Sequence, residues 1–227
     1  MRAIFYPYVK SEITKHIIVA DEAAKHLQVV RVKPNEPVLV LNGKGLRAHT
    51  IVGQIFKTQI ELLVQSVEEI SPLHNISLAI ANPKKDAFED ILKIATELGV
   101  RHIYPLRSEF SQYDYEPNDR FQRILESALI QSNNAFLPVI HPQQPIEKFL
   151  ETRKAPLYFF NSKPTVAGNP DKSQSEKLVL IGPEGGFSPR EETLVSSQEN
   201  VFSIHLPTPI LRAPTAVASS IGYLLAP

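Results

Sequence analysis

A short segment near the C-terminus places three glycines around one carboxylate. Gly182, Gly185 and Gly186 surround Glu184 in the sequence Gly-Pro-Glu-Gly-Gly. Because glycine has no Cβ, a ligand and the backbone can approach each other closely there. The segment has neither the Gly-Lys-Ser/Thr of a phosphate-binding P-loop nor the spacing of a dinucleotide fingerprint. Glu184 would repel a pyrophosphate but is compatible with a ligand that carries a positive sulfonium, whereas a tight structural turn explains only one or two of the glycines.

A second segment, rich in proline, follows the next predicted strand. It runs from Leu206 to Ala216 and contains Arg212. Both segments stand between a predicted strand and a predicted helix, and in a parallel sheet both would emerge at the carboxyl edge, where α/β proteins bind ligands. The sequence therefore predicts one site made by two loops. The helix over 215–225 is rich in small residues, which fits either a core helix in a tight corner or a contact with a ligand or a second copy.

The elements that must position these loops alternate between strand and helix patterns after residue 71. The strand candidates are 76–81, 102–106, 157–161, 177–181 and 202–206. This alternation predicts an α/β fold with a largely parallel sheet. The stretch 162–176 has almost no large apolar residues and predicts a surface loop.

Helix signals stand between these strands. One predicted helix places Phe88, Ile91, Leu92 and Ala95 on one face and ends at Gly99. A second is predicted around 121–128. Ser188, Pro189 and Glu191 form a predicted capping box at the start of a third.

The first 71 residues have a different pattern, that of short apolar runs separated by turn residues. Runs at 37–41, 48–52 and 60–64 predict a small β barrel, with a hairpin at 42–45 and one short helix over 23–30. Residues 1–60 hold nine Lys/Arg against four Asp/Glu. That excess suits a segment that meets phosphate, although ordinary solvated charges on a small β domain would give the same count.

Several classes of protein are excluded or disfavoured by composition. There is no cysteine among the 227 residues, so disulfides, thiolate zinc sites and cysteine nucleophiles are excluded. The seven histidines show no metal-ligand spacing, so we expect no metal, and no GxSxG elbow indicates a hydrolase. No long apolar run predicts a signal peptide or a membrane span, and we expect a cytoplasmic protein.

These motifs resemble those of the SPOUT methyltransferases, and of the RsmE family in particular. The matching segments, in chain order, are 26–32, 95–100, 105–106, 182–186, 210–212 and 215–216. They cover most of the chain in the family's order. The resemblance implies an N-terminal PUA-like β barrel that binds RNA, over 1–71, and a C-terminal SPOUT α/β methyltransferase domain with a trefoil knot, over 72–227.

The resemblance also implies a reaction, the transfer of a methyl group from S-adenosylmethionine to N3 of a uridine in 16S ribosomal RNA. The residues implied to hold the cofactor are Ile181, Gly182, Pro183, Glu184, Gly185, Gly186, Leu206, Ile210, Leu211, Ala213 and Ala216. Arg212 is the candidate catalytic residue, because a positive group would stabilise the uridine anion. Its alternative role is a structural one, holding the loop.

The implied partners are ribosomal RNA, within the small ribosomal subunit, and a second copy of the chain. The basic residues implied to face the RNA are Arg31, Lys84, Lys85, Lys93 and Arg107. No membrane is implied.

Four positions depart from the family pattern. Phe110 and Asn134 stand where arginines are usual, Ile130 replaces a glutamate and Pro214 replaces an acidic residue. Loss of two arginines should weaken contacts with RNA more than contacts with the cofactor. Two hypotheses follow: a divergent but active enzyme, or a non-catalytic RNA- or ribosome-binding protein that keeps the fold.

Overall fold

The computed structural model describes residues 2–12, 15–161 and 172–226. The chain divides into two compact units. The N-terminal unit is Met1–Pro72 together with Glu126–Leu137, and the C-terminal unit is Leu73–Leu125 together with Pro138–Pro227. The surface loop predicted over 162–176 lies largely outside the described residues.

The N-terminal unit is built on one sheet. Its elements are β1 (Arg2–Phe5), β2 (His16–Ala20), α1 (Asp21–Val29), β3 (Pro37–Leu41), β4 (Leu46–Ile55) and β5 (Gln59–Glu69). In the described residues these five strands pair in the order β1-β3-β4-β5-β2, and only the β1–β3 pair is parallel. Alternate strand residues such as Val38, Val40 and Leu62 pack with Leu27 of α1 in a buried core. The predicted strands and the short helix are therefore present.

The predicted hairpin at 42–45 is also present. The Asn42 side-chain oxygen accepts the backbone N–H groups of Lys44 at 2.8 Å and Leu46 at 3.0 Å. Gly43 and Gly45 have φ of +73° and +102°, a region that glycine enters without steric cost. The turn joins β3 to β4 in antiparallel register.

A distant segment, Glu126–Leu137, completes the N-terminal unit. Leu129 packs with Ala3, Leu39 and Leu41, and Ile130 lies against the same cluster. The Gly45 N–H donates to the Ala135 carbonyl at 2.8 Å. An apolar Ile130 fits this position, which explains one of the four departures from the family pattern.

The C-terminal unit alternates strands and helices. Its elements are β6 (Ile76–Ala81), α2 (Lys85–Glu97), β7 (His102–Arg107), α3 (Asp119–Ser132, whose second half belongs to the N-terminal unit), β8 (Val139–Ile140), β9 (Gln144–Pro145), α4 (Ile146–Thr152), β10 (Leu157–Phe160), β11 (Lys177–Ile181), α5 (Pro189–Ser196), β12 (Val201–Ile204) and α6 (Ala213–Leu225). In the described residues the strands form a seven-stranded sheet in the order β12-β10-β11-β6-β7-β8, with β9 beside β7, and every pair is parallel. The α/β prediction is confirmed.

Two of the predicted helix-end signals are present in the structure. The Ser188 hydroxyl accepts the Glu191 N–H, and the Glu191 carboxylate accepts the Ser188 N–H at 2.9 Å, so the predicted capping box of α5 is confirmed. Gly99, with φ of +76°, follows the end of α2. The last helix starts at Ala213 rather than Thr215, because Pro214 suits a first helical turn. Across the described ranges, every helix is too short or too polar to cross a membrane.

Candidate functional site

Three neighbouring strands of the C-terminal unit end at one edge of the sheet. Strand β10 lies between β11 and β12 and is parallel to both. The end of β10 and the loops that follow β11 and β12 enclose a cavity of about 290 Å³, which we call the first cavity. Its volume is at the lower end of the range for small-molecule sites. The two segments predicted to form one site therefore do meet.

The first loop of this cavity, 182–187, is shaped by close packing against its own phenylalanine. A Cβ at Gly182 would lie 3.2 Å from the Phe187 ring, which packs edge-on against Phe159. Gly186 has φ of +72°, and its N–H donates to the Pro183 carbonyl at 2.9 Å. The loop needs glycine at 182 for space and at 186 for backbone conformation.

The second wall of the first cavity consists of the loop after β12 and the start of α6. Ala213, Ala216 and Ser220 present small side chains from one face of α6. The Ser220 hydroxyl is fully buried and has no hydrogen-bond partner among the described residues. A buried hydroxyl without a partner costs stability, so its place in the lining indicates a polar ligand atom.

All eleven residues predicted to hold a cofactor line the first cavity. They are Ile181, Gly182, Pro183, Glu184, Gly185, Gly186, Leu206, Ile210, Leu211, Ala213 and Ala216. Sequence reasoning missed the other nine residues of this lining, among them Phe159, Asn161 and Ser220, which lie at or just after the end of β10 and in the middle of α6, where the sequence has no motif. The buried serine on a helix of small residues was the one available signal.

Arg212 occupies a different position. It is the exposed N-cap of α6, its carbonyl accepts the Ala216 N–H at 2.8 Å, and it is absent from the described lining of the first cavity. The structure therefore places this predicted catalytic residue next to the lining of the first cavity but not in it.

Glu184 has a structural partner that its sequence context did not show. Its carboxylate accepts the backbone N–H of Lys84 at 3.1 Å, at the N-terminus of α2. A carboxylate is stabilised at the positive end of a helix dipole. This hydrogen bond joins the glycine loop to the segment that follows β6, and it gives Glu184 a role besides any contact with a positive ligand.

The five predicted RNA-facing residues do not form one cluster. Lys84 and Lys85 are exposed at the start of α2, Lys93 pairs with Asp90 at 2.9 Å, and Arg107 pairs with Asp114 at 2.7 Å. Arg31 is exposed in the N-terminal unit, with φ of +51°. Lys84 and Lys85 are the pair beside the glycine loop.

A loop after β7 is tied by hydrogen bonds to helix α5 and to the segment after β6. The buried Glu191 carboxylate accepts the Glu109 N–H at 2.8 Å, and the Tyr115 hydroxyl donates to the Pro83 carbonyl at 2.6 Å. Burial raises the pKa of Tyr115, so the phenol stays protonated. Hydrogen bonds from Gln143 and Arg107 hold the pKa of Asp114 below its usual value.

The described ranges contain no cluster of three or more histidine, aspartate or glutamate side chains placed to hold a metal ion. The first cavity is lined by backbone amides and by the polar side chains of Asn161, Glu184, Glu192, His205, Thr208 and Ser220. Such a set can bind an organic ligand through hydrogen bonds.

Comparison with known proteins agrees with this geometry. The family described as "RNA methyltransferase domain" matches residues 69–225. Ribosomal RNA small subunit methyltransferase E of Rickettsia conorii is 25% identical, over 96% of this chain and 93% of its own length. Ribosomal RNA small subunit methyltransferase E 2 of Borreliella burgdorferi is 29% identical, over 92% of this chain and 91% of its own length.

Solved structures extend the likeness to the whole fold. The ribosomal RNA small subunit methyltransferase E of Neisseria gonorrhoeae, bound to S-adenosyl methionine, superposes with a TM-score of 0.89 at 24% identity, covering 99% of this chain and 96% of that one. A probable rRNA-methyltransferase of Porphyromonas gingivalis gives 0.81 at 25% identity, covering 99% and 97%. The chain thus belongs to the RNA methyltransferase domain family, in its ribosomal RNA small subunit methyltransferase E (RsmE) branch.

Proposed function

We propose that this protein transfers a methyl group from S-adenosylmethionine to N3 of a uridine in 16S ribosomal RNA. The proposal is based on the first cavity, where the glycine-rich loop after β11 meets the proline-containing loop after β12. The named relatives act on small-subunit ribosomal RNA, and the superposed Neisseria protein binds the cofactor.

The residues of the first cavity suit this cofactor. Gly182 lets the Phe187 ring pack close to the loop, Gly186 gives the loop its positive φ, and the buried Ser220 hydroxyl lacks a partner in the described chain. The alanines of α6 leave room that larger side chains would fill. When bound, S-adenosylmethionine supplies a methyl group activated by a positive sulfur. The chain's own contribution is to hold that ligand in a fixed pose.

Uridine N3 must lose its proton before it can accept a methyl group. Catalysis then rests on alignment of the nucleophile and on stabilisation of the anion, because a thioether leaves without acid assistance. We assign the stabilising charge to Arg212, which is exposed beside the loop after β12. An exposed guanidinium can reach an RNA base that approaches from solvent, and arginine remains charged at all relevant pH values.

The finer architecture forms part of the same proposal. Residues 1–71 would act as a PUA-like β barrel that binds RNA, and 72–227 as the methyltransferase domain, with the loops around 180–186 and 206–213 in a trefoil knot. A second copy of the chain would complete the site, and the substrate would be the small ribosomal subunit in the cytoplasm. RNA binding through the basic residues of 1–60, where nine Lys/Arg stand against four Asp/Glu, should weaken as salt rises.

The test is calorimetry with S-adenosylmethionine and S-adenosylhomocysteine, followed by transfer of labelled methyl to small ribosomal subunits. The proposal expects saturable binding of both ligands and one labelled uridine. No binding of either ligand would overturn it.

A second candidate function is favoured by Phe110, Asn134 and Pro214, which stand where the family pattern has charged residues. In that case the protein binds ribosomal RNA without methylating it. The same assay separates the two: cofactor binding with labelled product supports the enzyme, and RNA binding without product supports the non-catalytic protein.

A further inference from the structure

A second cavity adjoins the first one across the glycine loop. It has a volume of about 370 Å³ and lies in the C-terminal unit, between the segment after β6 and the loop after β7. Glu184 and Gly185 line both cavities. A ligand in the second cavity would therefore approach a ligand in the first cavity.

Two exposed aromatic rings line the second cavity. Phe110 is 44% exposed and Tyr113 is 43% exposed, and both line it. Among the described residues of the C-terminal unit, these are the exposed members of the phenylalanine and tyrosine set. Exposed rings are normally scattered, so their convergence on one opening indicates a binding surface.

The Tyr113 ring is held in a fixed plane by a stack behind it. The buried rings of Phe88 and Tyr115 lie 4.2 Å apart with planes 7° from parallel, and Tyr113 continues the stack at 6.3 Å and 6°. Asn82 donates to the Tyr113 carbonyl at 2.9 Å. The Tyr113 ring therefore forms the end of the stack at the second cavity, and the rings behind it fix its orientation.

Phe110 is held against the glycine loop. A Cβ at Gly185 would lie 3.2 Å from the Phe110 Cβ, so ring and loop are in close contact. The N–H of the preceding residue, Glu109, is anchored on the buried Glu191 carboxylate at 2.8 Å. The aromatic ring thus stands at the border between the two cavities.

A polar group of the second cavity also lacks a partner. Asn82 is 1% exposed, its amide nitrogen donates to Tyr113 and Gln143, and its side-chain oxygen accepts no hydrogen bond from the described chain. Single-stranded RNA offers a donor of the matching kind, the ribose 2′-hydroxyl, at each nucleotide. The charged residues of the lining are Lys84, which suits a phosphate, and Glu184, whose carboxylate accepts the Lys84 N–H.

We propose that the second cavity receives one unstacked uridine of single-stranded RNA, with Phe110 and Tyr113 as its stacking surfaces. This inference rests on the proposed function and names the residues that would present the base to the first cavity. Aromatic rings bind unpaired bases by stacking, and N3 is reachable only in an unpaired base. Phe110 then replaces an arginine of the family pattern as a stacking residue and not merely as a loss of charge.

Photo-crosslinking tests this proposal without requiring turnover. The full chain is irradiated with a single-stranded RNA oligonucleotide containing one 4-thiouridine, and the crosslinked peptide is identified by mass spectrometry. Cleavage after Arg107 and Arg120 yields one peptide, 108–120, that contains both rings. We expect the crosslink in this peptide. Crosslinks confined to other peptides would overturn the proposal.

Ring-removing variants test the energetics. Phe110→Ala and Tyr113→Ala should each raise the dissociation constant of the oligonucleotide roughly tenfold, within the range measured for base stacking. Phe110→Trp and Tyr113→Phe keep a ring and should stay within about twofold of the parent chain. Val139→Ala, at an exposed apolar position of β8 in the same unit, is the matched control.

The outcomes separate this proposal from the proposed function. Affinity for S-adenosylmethionine, measured on each variant, reports whether the first cavity is intact. A parent chain that methylates RNA, with no change in RNA affinity on loss of either ring, overturns the stacking role alone. A chain that crosslinks through 108–120 but transfers no methyl group overturns the enzyme function and leaves the RNA site in place.

Discussion

The two cavities of the C-terminal unit differ in what they are made of. The first is formed around backbone and small side chains, the glycine loop and the alanine face of α6, with larger apolar residues such as Phe159 and Ile210 completing its lining. The second is built from large side chains, Phe110 and Tyr113 above all. A site formed by backbone needs glycine or another small residue at defined positions, so it can be recognised from the sequence. A site formed by side chains can change one residue for another of different chemistry, as Phe110 illustrates.

The largest effect should come from adding a side chain to the backbone-built cavity. Gly182→Val would place methyl groups against the Phe187 ring, where even a Cβ would be 3.2 Å away. We expect the affinity for S-adenosylmethionine, measured by calorimetry, to fall ~100-fold or more, in line with a clash of ~3 kcal/mol. Gly222→Ala is the control, because a Cβ there meets nothing within 4 Å. Full cofactor affinity in Gly182→Val would contradict the assignment.

Arg212→Ala tests whether an exposed charge beside the cavity serves chemistry rather than structure. We expect the turnover number to fall ~10- to 100-fold while cofactor affinity and melting temperature change little, as for a group that acts on transition-state charge. Arg190→Ala, an exposed arginine at the start of α5 that pairs with Glu147 at 3.3 Å, is the control. Unchanged turnover would remove Arg212 from the mechanism.

Ser220→Ala tests whether a buried polar side chain of the first cavity contacts the ligand. The hydroxyl is buried without a described partner, so its removal should leave the free protein as stable or stabilise it by up to ~1 kcal/mol. The same change should weaken cofactor binding ~5- to 10-fold if the hydroxyl meets a ligand atom. Thermal unfolding with and without S-adenosylmethionine measures both. If the substitution changes the melting temperature equally with and without S-adenosylmethionine, Ser220 does not contact this ligand.

The smallest effect is expected on the pH dependence of stability, from two histidines away from both cavities, one of them at the amino end of β7. The rings of His102 and His141 lie within hydrogen-bond distance, at 3.0 Å, and burial lowers the pKa of each, with the charge of Arg101 adding to the effect at His102. The unfolded chain therefore binds protons more readily than the folded one. Stability should be complete above about pH 6.5 and fall as the pH drops below it.

His141→Phe tests this pH dependence, because it keeps a ring stacked on Tyr104 and removes one titrating group. Urea denaturation at several pH values between about 5 and 7.5 gives the free energy of unfolding at each pH. We expect this free energy to depend less steeply on pH in the variant than in the parent chain. An identical slope would mean that His141 does not contribute. Cofactor affinity should stay unchanged.

Local signals were enough for many of the elements and for the meeting of the two loops. Strands 76–81 and 177–181 have the predicted bounds, and the capping box at Ser188 and the hairpin at 42–45 are present. Each of these depends on residues only a few positions apart. The meeting of the two loops also followed from sequence, since parallel strands bring their carboxyl ends to one edge whatever lies between them.

The sequence by itself thus determined the α/β pattern, the turns and, through the family resemblance, eleven residues of the first cavity. Only the tertiary structure decided which residues far apart in the chain share a surface. It gave Glu184 a partner in Lys84, brought Glu126–Leu137 into the N-terminal unit, and placed Phe110 beside Gly185. The physical reason is that periodicity and capping record interactions within one element, whereas contacts between elements depend on packing that no short segment encodes.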